Sequence, residues 1–225
     1  TNVQIKESFS SIDGAKIIYP GDGDDYYAAG VVGTIYGDLT FENITVKNSR
    51  ITGNNKVAGL IAHDGSSTQI TIDNCHILDS YIASEDLEDG GCVGGMIGYY
   101  ATGNAGKENN ISNSSVKGCT IVGVNSSNRG NRANSEFIGS IKTKDAMVLN
   151  ITDCILEGNT FTQTIDGTNP VTYLSAFNPQ YIGGDREENT LGTITISING
   201  ETPAVKVTTI EQLQQVVNNA TTDIT

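Results

Sequence analysis

Apolar and polar residues alternate one for one in a series of short runs along this chain: LTFENITVKNSRI, ITIDNCHILDSYI, SSVKGCTIVG, LNITDCILEGNTF and GTITISING. A period of two, enriched in Ile, Val and Thr, predicts short β-strands with one buried face. The Gly, Asn, Asp and Ser between them predict tight corners. The same region shows no helical period. Ahead of the runs a short motif recurs as AGVVG, AGLIA, GGMIG, EFIGS and QYIGG, with its first apolar residue at Val31, Leu60, Met96, Phe137 and Tyr181. A strand-and-corner unit repeated in this way cannot bury its apolar face alone and must stack on its neighbours. The expected fold is all-β, a right-handed parallel β-helix (solenoid) of roughly five to six coils over residues 1–205.

Alignment of the runs on their alternation gives a register. Leu39, Ile70 and Leu149 share one column, Phe41, Ile72, Val116 and Ile151 a second, and Val46, Ile77, Ile121 and Leu156 a third. Ile44, Cys75, Cys119 and Cys154 then form an inward structural ladder. Three uses of these thiols are open: small buried hydrophobes, one disulfide between neighbours, or metal ligands. A coil rise of about 4.8 Å lies inside the Cα separation that a disulfide permits, but side chains pointing the same way hold their Cβ atoms apart. The cysteine spacing matches no zinc pattern. The preferred reading is a ladder of packed thiols. Cys92, in DGGCVGG, lies outside the column and is expected to be a separately packed thiol.

The ends are expected to differ from the middle. VQI and AKIIY predict strands of an incomplete first coil, with GDGDD as its corner. Near the C-terminus, Thr208 and Glu211 form a capping-box pattern, and Ile210, Leu213, Val216 and Val217 fall on one face of a helix from about residue 209 to 219. Residues 206–225 are therefore expected to be an end cap or the start of a following repeat domain. The chain opens at Thr1, as a mature or trimmed fragment would.

Composition narrows the functional classes. The chain has 225 residues, 37% of them hydrophobic and 6% aromatic, with no tryptophan and 26 glycines. Many small aliphatic contacts must replace a core of large rings. A formal charge of −13 and a pI near 4.4 argue against nucleic acid as a partner. No apolar run reaches membrane-spanning length, so no transmembrane segment is expected.

The segments AGLIAHDGSSTQITIDNCHILDS and GGMIGYYATGNAGKENNISNSSVKGCTIVG are similar to GLUG-type repeats, a glycine-rich motif followed by a polar corner and a Val or Ile strand. The resemblance covers residues 28–161, and 177–200 more weakly. It departs at EFIGSI and QYIGGD, which lack the double glycine. Such repeats occur in secreted and surface proteins, adhesin-like ones and those of gut Bacteroidetes among them. The resemblance thus implies a secreted or cell-surface protein, outer-membrane-anchored or part of a larger chain, that displays loops to a glycan or a host or surface protein. The C-terminal helix resembles the capping helix of pectin-lyase-like β-helices. Fold likeness does not license an activity.

Several corners and insertions carry residues with candidate chemistry. Asp22, Asp24 and Asp25 in GDGDD offer oxygen ligands and make calcium the one cofactor in view, against a solvated turn. His63 and Asp64 in AHDG resemble the Gly-His-Gly corner of polygalacturonases, but no paired carboxylates accompany them. His76, alternating with inward Cys75 and Ile77, is expected to face solvent. The sequons at Asn43, Asn110, Asn113, Asn125, Asn150 and Asn219 read better as corner asparagines. Insertions at ASEDLEDGGCV, NSSNRGNRANS and TQTIDGTNPVTYLSAFNP should build one irregular rim, where binding concentrates in repeat proteins. There Glu85, Asp86, Glu88 and Asp89 would neighbour Arg129 and Arg132, with Tyr173 and Phe177 nearby, either as exposed ion pairs worth about 0 to 1 kcal/mol or as a ligand groove. A non-catalytic adhesin-like module is the leading expectation; the alternative is a polysaccharide lyase or glycoside hydrolase on the same scaffold.

Overall fold

The structure, a computed structural model, describes residues 3–5, 10–19, 27–64, 69–85, 91–102, 107–125, 134–143, 147–165, 168–172 and 194–198. Every regular element among them is a β-strand, and successive turns of the chain pair in parallel. Five sheets result. Sheet A stacks Val3–Ile5, Leu39–Glu42, Ile70–Asp73, Glu108–Ser112, Met147–Thr152 and Ile194–Ile198. Sheet B stacks Ser10–Asp13, Ile44–Lys47, His76–Leu78, Ser115–Lys117 and Ile155–Glu157. Sheet C stacks Lys16–Tyr19, Arg50–Gly53, Tyr81–Ser84, Thr120–Asn125 and Thr160–Ile165, and Thr168–Thr172 doubles back antiparallel on the last of these. Sheet D holds Tyr27–Ala29, Lys56–Ala58 and Cys92–Gly94; sheet E holds Val32–Ile35, Ile61–Asp64, Ile97–Thr102 and Ile138–Thr143. The chain visits A, B, C, D and E in order and returns to A one rung further on. This is a parallel β-helix.

Its core is built from columns of like residues. Phe41, Ile72, Ile111 and Ile151 stack in sheet A, Val46, Ile77 and Val116 in sheet B, and Ile51, Ile82, Ile121 and Phe161 in sheet C. All of these are buried. Val57 and Val93 from sheet D and Ile61, Ile97 and Ile138 from sheet E close the interior. Side chains that repeat every rung pack on like neighbours, so β-branched aliphatics fill most of the space, with Phe41, Tyr100, Phe137 and Phe161 as the buried rings.

Two corners recur in every full coil, and each needs a left-handed residue. Between sheets A and B this is Asn43, Asn74, Asn113 or Asp153, with φ between 49° and 58°. Between B and C it is Gly14, Asn48, Asp79, Gly118 or Gly158. Asn, Asp and Gly are the residues that enter this region at least cost. The residue after each left-handed position turns the chain into the next strand.

This corner geometry corrects the expected ladder. His76 pairs with Ser115 and Ser115 with Ile155, so Ile44, Cys75, Ser114 and Cys154 share the A–B corner column. Cys119 belongs to the B–C corner with Ser49, Ser80 and Asn159. Likewise Ile111, not Val116, continues the Phe41 column, and Val116, not Ile121, continues the Val46 column. The two corners lie close together in sequence and each pairs a left-handed residue with a small polar one. Matching coils on cysteine therefore slid this coil by one corner. The first coil is also complete: Ser10–Asp13 adds a sheet B strand that the sequence pattern did not reveal. The expected helix near residues 209 to 219 lies outside the described residues.

The glycine motif fixes the D–E corner. Val31, Leu60, Met96 and Phe137 are equivalent, each of the first three donating its N–H to the carbonyl of the next. The glycine before each of these three lies under the backbone of the following coil: a Cβ at Gly30, Gly59 or Gly95 would collide with the carbonyl oxygen of Gly59, Gly95 or Glu136. Glu136 replaces this glycine in EFIGS, yet Met96 still bonds to Phe137 and the register holds. Gly95→Ala is expected to lower stability by about 1–3 kcal/mol, since backbone rather than a movable side chain blocks the methyl. Gly33→Ala, whose Cβ would find nothing nearer than 3.7 Å, should change stability by no more than about 0.5 kcal/mol. Urea midpoints of the two variants test the contrast.

Candidate functional site

The A–B, B–C and D–E corners are tight, the passages from sheet E to sheet A are longer, and three of the passages from sheet C to sheet D are the longest among them. Tyr19 to Tyr27, Ser84 to Cys92 and Asn125 to Asn134 all make this passage on successive or near-successive coils. In chain order the GDGDD segment falls in the same passage as the ASEDLEDGGCV and NSSNRGNRANS insertions, whereas the described part of the third insertion, TQTIDGTNPVTYLSAFNP, lies in sheet C itself. Where the later two connections are described, their ends meet: Gly91 N–H and the Asn134 side-chain amide both donate to the Val124 carbonyl, at 2.9 and 3.4 Å. Asn134 Oδ1 accepts from Val93 N–H at 2.8 Å, so the buried amide replaces a missing strand partner. Asp22, Asp24, Asp25, Asp86, Glu88, Asp89, Arg129, Arg132, Tyr173 and Phe177 lie outside the described residues. Glu85 is described and exposed; its carboxylate stands 3.8 Å from Arg50, whose guanidinium lies 4.1 Å from the centre of the Tyr81 ring.

Immediately beyond this edge, sheets D and E carry an aromatic and basic cluster that the sequence pattern does not assemble. Tyr27 and Lys56 are register partners in sheet D, and Thr34, His63 and Tyr99 are partners in sheet E. The His63 ring lies 4.6 Å from that of Tyr27 and 5.3 Å from that of Tyr99, centre to centre, tilted by 39° and 38°. The Lys56 ammonium sits 4.7 Å from the centre of Tyr27 and 5.1 Å from that of Tyr99. His63 Nδ1 and the Thr34 hydroxyl are 3.3 Å apart. The four ring and ammonium residues are half-buried and Thr34 is exposed. The glycine motif was the signal that could have found them: Tyr27 and Lys56 stand three places before Gly30 and Gly59, and His63 and Tyr99 directly follow Ala62 and Gly98.

Other polar residues hold the coils together. Lys47 pairs with Asp13 at 3.2 Å and Lys117 with Glu157 at 3.1 Å on adjacent coils. Asn48 and then Lys47 hold the Asp13 carboxyl below its usual range. At the passage from E to A, Lys107 reaches Asp38 at 2.7 Å while Gln69 N–H donates to the same oxygen at 2.8 Å. Both contacts lower the Asp38 pKa, Lys107 most. Asp64, next to His63, is fully buried and in register with buried Tyr100. Burial first, and the Asp64 charge second, hold the Tyr100 phenol well above its ordinary range. Among the described residues no group of three or more His, Cys, Asp or Glu is placed to hold a metal ion.

The thiols are corner hydrogen-bonders as well as small buried groups. Cys75, Cys119 and Cys154 each donate to the carbonyl two residues back, at 3.4, 3.4 and 3.5 Å, and to one on the preceding coil. Ser49, Ser80 and Ser114 make the same two-residue contact at 2.8, 2.7 and 2.7 Å. No cysteine is in a disulfide, and Cys92 is buried in sheet D as expected. Burial pushes the Cys75 and Cys119 thiols up to about 11. Cys154, only partly buried, is also raised by burial. His76 does not simply face solvent. Its Nδ1 and Nε2 lie 2.9 Å from the Ser115 hydroxyl and from Asn74 Oδ1, and Asn74 in turn donates to Asn43 at 2.7 Å. The sequon residues Asn113 and Asn150 likewise donate their amide N–H groups across coils, to Asp73 and Asn110.

Comparison with family models, with curated proteins and with solved structures finds no match to this chain. Function has to be read from the geometry and chemistry of the coils themselves.

Because nucleophilic attack needs the thiolate, a disulfide reagent at neutral pH should label Cys154 well before Cys75 and Cys119, and Cys75→Ser should cost less than about 1 kcal/mol because serine fills the same corner in the next coil. Burial, and then the charge of Lys117, depress the His76 pKa. The unfolded chain therefore takes up this proton first, and stability falls as pH drops below about 6.5 until the native ring also protonates. Above that range His76 adds no slope. His76→Gln should flatten the part of the stability profile just below about pH 6.5, measured by denaturant midpoints.

Proposed function

We propose that this chain is a non-catalytic, adhesin-like binding module of a secreted or cell-surface bacterial protein. Its ligand is a glycan or a protein exposed on a host or neighbouring surface. The supporting observation is the gathering of the longest connections at the C–D edge, beside a cluster of half-buried aromatic and basic side chains. In a stacked solenoid, recognition is carried by connections gathered along one edge. Glycoside hydrolysis would call for two carboxylates flanking one bond. The acidic groups described in contact with a base, Asp13, Asp38, Glu85 and Glu157, are instead placed in cross-coil or cross-strand ion pairs.

The test is binding of the whole chain to immobilised glycans and surface proteins, with and without calcium. Selective binding that falls at least fivefold in an Arg129→Ala, Arg132→Ala double variant, with an unchanged circular dichroism spectrum, is the expected result. A calcium requirement would assign the GDGDD segment a part in the same edge. Release of oligosaccharides from an acidic polysaccharide, abolished by changing one carboxylate, would overturn the reading in favour of a lyase or hydrolase.

A further inference from the structure

We draw no further inference here: the strongest candidate, the outer edge of the first coil along Ser10–Asp13 and Lys16–Tyr19, where Ile12 and Ile17 are only partly buried although Val46 and Ile51 on the next coil of the same columns are fully buried, carries nothing because nothing in the structure shows what covers it.

Discussion

Everything in this molecule depends on the backbone register between one coil and the next. Parallel strands exchange evenly spaced hydrogen bonds, and a slip of one residue would turn buried columns outward. Two devices prevent the slip. Left-handed residues such as Asn74 and Gly118 set where each coil bends. Glycines such as Gly59 and Gly95 let the next carbonyl approach at the D–E corner more closely than any side chain would allow. With both fixed, a core of Ile, Val and an occasional Phe suffices, because each side chain meets its own equivalent on the coil above and below.

The fold was legible because its two periods are written directly in the residues. Alternation exposed the strands of sheets A, B and C, and the glycine motif exposed the corner between D and E. Register was less legible. Cys119 and Cys154 look alike in sequence, each following a left-handed residue and preceding a Thr or Ile, yet they occupy different corners. Serine makes the same hydrogen bond as cysteine there, so residue identity does not separate the two positions. The missing first-coil strand at Ser10–Asp13 has a single apolar residue, Ile12, too little to show alternation.

The candidate site was legible only in part. The sequence expected three insertions on one edge; in chain order two of them fall in the passage from sheet C to sheet D, and the described part of the third lies in sheet C. It did not bring Tyr27, Lys56, His63 and Tyr99 together, because they come from different strands and coils and their nearness depends on how sheets D and E meet. His76 shows the same limit. Alternation placed it outward, but Ser115 on the next rung and Asn74 two residues back on its own rung give both ring nitrogens partners.

Correct register also bears on how this chain could mature. Ser114 stands between Cys75 and Cys154 in one corner column, and Cys119 sits in the other, so no thiol finds a same-column partner on the adjacent rung. Neighbouring cysteines in a single stack would present a folding chain in an oxidising compartment with competing pairings, each closing a different loop. Interleaving with serine keeps the corner thiols apart in the folded rod. Its coils are joined by hydrogen bonds and packing instead of covalent staples.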